Sequence, residues 1–222
     1  MSSPLNLLFD APVQFAAIMV ALLISIPLHE FSHAAVATVQ GDQTARAAGR
    51  LSLNPLKHLD PFGTVFLVLA GFGWGRPVPF TPGNLRNRRF GAALVSLAGP
   101  ISNFLIATLA LLIIKVALFS LTTTTFTFLL AFFQINVLLG VFNLIPIPPL
   151  DGSRLLAVVL PPSRQGIVYF LDRYGIYLLL GLVLLPVLDP SLNWLRPIYE
   201  AVERWLIQLI GPAELAEVLG LS

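Results

Sequence analysis

The sequence predicts an all-α polytopic membrane protein. The expected form is a bundle of about 4–6 transmembrane helices with a re-entrant or β-hairpin-like membrane segment near residues 62–75. Two observations on composition and one on pattern carry this expectation. Hydrophobic residues make up 56% of the 222, and the mean hydropathy is +0.85. Charged residues make up only 11%, whereas a water-soluble domain carries about 25%; this chain lacks the polar surface to cover itself. Several uncharged apolar runs also reach the ~20 residues that a membrane helix needs.

The first run covers residues 11–41, where Glu30 is the only charged side chain. Residues 1–10 contain no lysine or arginine, so the positive region of a signal peptide is missing and the run is expected to stay as a membrane helix. Pro27 inside it removes a backbone donor and bends it. Residues 42–60 form a polar loop with Arg46, Arg50, Lys57 and His58. Residues 62–75 are uncharged but short and glycine-rich, which suits a re-entrant or interfacial segment better than a span. Arg76, Arg86, Arg88 and Arg89 then return the chain to a polar surface.

A second span is expected over residues 90–114, a turn at the threonines 122–125, and a third span over 126–145. A fourth, rather short, is expected over 174–188, interrupted by Pro186. Over residues 193–210, Trp194, Ile198, Val202, Trp205, Leu206 and Leu209 recur at helical spacing opposite Arg196, Glu200, Glu203 and Arg204. That is an amphipathic helix, placed either in the membrane interface or against the bundle. The whole chain, 1–222, is expected to be one membrane-embedded domain with its core at about 11–160.

Charge and cysteine content exclude other classes. A net charge of +2 with no dense basic run gives no reason to expect nucleic-acid binding. With no cysteine, disulfides, thiolate metal sites and a cysteine nucleophile are all absent. Orientation follows from the basic residues. If 62–75 does not cross, ten of the thirteen fall in segments 42–89 and 151–173, leaving Lys115, Arg196 and Arg204. That side is expected to face the cytosol in a cell membrane, with the N-terminus outside.

His29-Glu30-Phe31-Ser32-His33 fits H-E-x-x-H. On a helix, positions i and i+4 stack on one face, so both imidazoles reach one zinc ion, and Glu30 stands beside it as general base. In a soluble protein this pattern is a modest signal. In a membrane helix a carboxylate costs about 2.5–3.5 kcal/mol even on the lenient insertion scale, and two imidazoles also need partners; a metal satisfies all three. A catalytic zinc takes three protein ligands. His58 and the aspartates are the candidates for the third, and Asp151 is the best placed, closing the third span after prolines 146, 148 and 149. His33 lies close to the basic loop, which puts the metal about 10 Å below the cytosolic surface.

Together HEFSH and NLIPIPPLDG (residues 143–152), with SLAGPISN (96–103) and GRLSLNPLKHLDPFGT (49–64), resemble the site-2 protease family of intramembrane zinc metalloproteases, in its compact bacterial-type form. The resemblance covers about residues 22–154 and implies one Zn2+ per chain, held by His29, His33 and Asp151, with Glu30 as catalytic base. It implies transmembrane protein substrates, cleaved within or near the lipid bilayer. Asn143 matches the second motif and is a candidate for holding substrate backbone or stabilising the oxyanion; its competing role is to satisfy carbonyls freed by the prolines. Asn103 is a candidate for the same work or for joining helices. Segment 62–75 is a candidate for pairing with unwound substrate, or is a simple anchor.

Two other classes fit less well. A metal transporter or channel has no need of a glutamate beside a ligand histidine, and no internal repeat is visible. A membrane scaffold leaves Glu30 unexplained.

Overall fold

The computed structural model describes residues 4–70, 73–118, 120–212 and 214–215. Its helices are α1 (Pro4–Asp10), α2 (Pro12–Val39), α3 (Thr44–Ala47), α4 (Pro61–Ala70), α5 (Arg88–Ala117), α6 (Thr123–Asn143), α7 (Gly152–Val159), α8 (Gln165–Leu188) and α9 (Leu195–Ile210). Among the described residues, four helical stretches are long and apolar enough to cross a membrane: Pro12–Val39, Phe90–Ala117, Thr123–Asn143 and Gln165–Pro186. In lipid every backbone polar group must be satisfied within the protein, and a helix does this by itself. The chain is a multi-pass membrane protein.

Helices α2, α5 and α6 pack on one another and form the centre of the bundle. Small side chains let them approach: Ala17, Ala21, Ala34 and Ala37 on α2 and Ala107 on α5 are fully buried. This is how helices associate where lipid tails are as apolar as leucine. Leu105, Leu109 and Val116 of α5 point outward instead, as lipid-facing positions would. Thr122 opens α6, its hydroxyl accepting the Thr125 N–H at 3.2 Å.

Of residues 62–75, expected as a re-entrant or β-hairpin-like segment, 62–70 are helical and 73–75 are not. Asp60 starts α4 by accepting the Gly63 N–H at 2.9 Å, and an apolar run with its own helical hydrogen bonds needs no partner strand. The two ends meet. Leu59 bridges Gly75, and Arg76 N–H donates to the His58 carbonyl at 2.7 Å, so the chain leaves at the level where it entered.

The fourth span begins earlier than the sequence pattern suggests. It starts at Gln165, and Asp172 and Arg173 continue the helix because both side chains are exposed. Pro186 cannot donate to the Leu182 carbonyl. The indole N–H of Trp194 takes that carbonyl at 2.9 Å, fixing the corner between α8 and α9. Of its two possible placements, α9 takes the one against the bundle. Leu206 and Ile207 join an apolar cluster with Ala107, Leu111, Phe133 and Val137. Glu203, on the polar side of the sequence pattern, is buried and accepts from Gln134 of α6 at 3.2 Å. Burial raises its carboxyl above the usual range, against the lowering effect of the hydrogen bonds from Gln134 and Tyr199.

Candidate metal centre

Helix α2 carries His29 and His33 one turn apart, with Glu30 beside His29, in its C-terminal half. The two imidazoles are buried, with 7% of each residue exposed. Their Nε2 atoms are 3.0 Å apart, and Asp151 Oδ2 lies 3.2 Å from His29 Nε2 and 3.3 Å from His33 Nε2. Asp151 comes from the turn between α6 and α7. That turn is tight: a β-carbon on Gly152 would sit 2.1 Å from the Leu144 carbonyl oxygen, so only glycine can follow Asp151 there.

Each histidine has its other nitrogen engaged. His29 Nδ1 meets Asn103 Oδ1 at 2.6 Å, and His33 Nδ1 meets the Val95 carbonyl at 2.7 Å, both on α5. Those oxygens accept, so each Nδ1 donates, and a ring in its neutral form turns an Nε2 lone pair to the centre. Asp151 Oδ2 is buried and accepts no hydrogen bond. With both rings neutral, three lone-pair atoms converge with no donor among them, an arrangement that a cation resolves. Their spacings fit one as well: N and O ligands at about 2.0–2.1 Å from a tetrahedral zinc lie ~3.4 Å apart. The donor set of two imidazoles and a carboxylate, with a fourth position left over, suits a catalytic zinc.

The three residues named from the sequence as ligands are thus brought together as a group that could hold one metal ion. Glu30 stands on the same turn; a β-carbon on Gly75 would come within 3.8 Å of its Oε1. His58 is elsewhere, fully buried with Nε2 on the Ser52 carbonyl at 2.6 Å. Asn143 donates to the Leu139 carbonyl one turn back at 3.0 Å. Asn103 stands behind His29, on the side away from Asp151, with its Nδ2 donating to Asn136 Oδ1 at 2.9 Å.

Three residues at the centre escaped the sequence reading. Gly99 of α5 is one, since its lack of a side chain makes room for both imidazoles. Asn136 and Ser25, fully buried polar residues on membrane helices, are the others. Their signal was present, because a polar residue inside an apolar run asks for a partner.

A helical membrane bundle holding two histidines and an aspartate around one position defines a membrane-embedded metallohydrolase. Comparison with known proteins is specific about which. Residues 116–185 match the model of peptidase family M50. The chain is 40% identical over 187 residues to YwhC of Bacillus subtilis (79% of this chain, 85% of the relative), whose name provisionally makes it a zinc metalloprotease. Rip2 of Mycolicibacterium smegmatis, named in the same way, is 31% identical over 183 residues (79% and 69%). Rip2 of Mycobacterium tuberculosis H37Rv is 32% identical over 205 residues (89% and 75%). No solved structure matches the chain. The chain belongs to peptidase family M50, the site-2 protease family, and is a zinc metalloendopeptidase of the membrane.

Proposed function

We propose that this enzyme hydrolyses peptide bonds in or near the transmembrane segments of other membrane proteins. The observation that carries the reading is where the centre lies. His33 is about 9 Å along the axis from the end of α2, inside a helix apolar enough to span, so a bond that reaches it is at membrane depth. The arginine-rich loop beyond α2 supports placing that end at the cytosolic face of a cell membrane, with the N-terminus outside. Residues 1–222 then act as one peptidase domain in regulated intramembrane proteolysis.

His29, His33 and Asp151 would hold the zinc, which when bound polarises the scissile carbonyl and activates water. Glu30 takes the proton from the attacking water and delivers it to the departing amine. The extended stretch after α4, whose Gly75 lies against Glu30, is the segment placed for an unwound substrate to join as a strand. Asn143 remains the candidate for contacting substrate backbone. Asn103, with both ends of its amide engaged behind His29, is better suited to positioning that ligand than to an oxyanion role.

Glu30→Gln tests the reading. The variant should retain one zinc per chain and lose at least about 100-fold in cleavage of a model transmembrane substrate in detergent. Membranes carrying it should accumulate transmembrane fragments that wild-type membranes clear. Substantial residual turnover would remove Glu30 from the role of base.

A further inference from the structure

A polar ring closes through three helices behind the metal centre. Ser25 lies one turn before His29 on α2, Asn103 is on α5 and Asn136 on α6, and all three are 0% exposed. His29 Nδ1 meets Asn103 Oδ1 at 2.6 Å, and Asn103 Nδ2 donates to Asn136 Oδ1 at 2.9 Å. Asn136 Nδ2 donates to Ser25 Oγ and to the Phe132 carbonyl, each at 2.8 Å.

The directions of these bonds are not interchangeable. The Phe132 carbonyl only accepts, so Asn136 turns its NH2 toward it and its oxygen toward Asn103. That oxygen only accepts, so Asn103 offers its NH2 there and keeps its own oxygen for His29. His29 Nδ1 therefore carries the proton, and its lone pair sits on Nε2, facing His33 and Asp151. Order that starts at a backbone carbonyl of α6 ends at the nitrogen that meets the metal.

We propose that Asn136 and Ser25 are positioning residues of the metal centre, acting through Asn103 to set the tautomer and ring plane of His29. The proposal rests on His29 being a zinc ligand. Without Asn136 the Asn103 amide is released to flip, and its NH2 toward His29 favours the tautomer that puts a proton on Nε2. Water does not readily replace the missing partner in an apolar bundle. Partners behind a ligand histidine are typically worth about 10–100-fold in metal affinity.

The test uses the purified full chain, with zinc affinity measured by chelator competition and the d–d absorption of the cobalt-substituted protein recorded beside it. Asn136→Leu should weaken zinc about 10-fold or more and shift the cobalt bands; Ser25→Ala, a gentler change that keeps the helix packing, should move both in the same direction. The double variant Asn103→Ala/Asn136→Leu should bind no more weakly than Asn103→Ala alone. Phe133→Leu, an apolar change on the same helix, should lower thermal stability while leaving affinity and spectrum as they were. Wild-type affinity and spectrum in both Asn136→Leu and Ser25→Ala would overturn the proposal, as would additive losses in the double variant or an equal spectral shift in Phe133→Leu. His29→Ala separates the two levels: stoichiometric zinc in that variant sinks the ligand assignment itself. If it loses zinc while the ring variants behave as wild type, only the role of the ring fails.

Discussion

Gly99 on α5 lies so close to His33 on α2 that a β-carbon there would stand 2.4 Å from His33 Nε2 and 2.6 Å from His29 Nε2. Those atoms are ring nitrogens held from behind by Asn103 and the Val95 carbonyl, so they cannot retreat without breaking those bonds. Gly99→Ala should therefore lower zinc affinity by about 100-fold or more while the helices still form. Metal content per chain and circular dichroism on the purified variant check this. Full zinc occupancy would mean that α5 can move away from α2.

Asp151, and not His58, should be required for the metal. Asp151→Ala leaves two histidines, too few to hold a catalytic zinc well, and zinc content should fall sharply. His58→Ala should leave it near one per chain, because His58 is engaged with the Ser52 carbonyl away from the centre. The reverse pattern in a metal assay on the two variants would refute the assignment.

Asp42 should make the fold sensitive to acid. It is buried just past α2 and accepts from Thr44 N and Oγ1, Thr81 N and Asn84 Nδ2 at 2.5–3.1 Å, tying the loop to the helix end. Burial opposes its ionisation, but these donors outweigh it and hold the carboxyl below the usual carboxylate range. A lowered acid pKa contributes stability that is present above the unfolded value, about 3.9, and is lost as pH falls through the folded one. Asp42→Asn places an NH2 among those donors and should destabilise by about 1–3 kcal/mol at neutral pH. In thermal melts in detergent, its deficit relative to wild type should shrink below about pH 4. A deficit constant down to pH 3 would show that ionisation of Asp42 contributes nothing.

Topology can be read on a chain that contains no cysteine. Single cysteines in 86–89 and 164–173 should resist an impermeant thiol reagent added outside intact cells, and should react once the membrane is opened. Labelling of either from outside would invert the proposed orientation.

The class of the molecule was legible in its composition, because a chain with so few charges cannot cover itself in water. The HEFSH motif was legible for the same reason: helical spacing places His29 and His33 on one face whatever surrounds them, and the membrane makes an unpartnered glutamate costly. Local rules reached less far at the element ends. The sequence leaves segment 62–75 open between a re-entrant and a β-hairpin-like form, and Asp60 capping α4 favours the helix seen over 61–70. The start of α8 was hidden because exposed Asp172 and Arg173 look like a loop in sequence yet are tolerated on a helix face.

Only the tertiary structure decided what stands behind and beside the ligands. Asp151 is 118 positions from His33, and their 3.3 Å approach depends on α2, α6 and α7 all packing on α5. Asn103 read in sequence as a possible link between helices and Asn136 was not singled out; which amide end faces which partner follows from the Phe132 carbonyl, a backbone atom that no motif encodes. Gly99 carries no chemistry of its own. Its role is the volume it leaves to two imidazoles, and volume shared between helices exists only once they have packed.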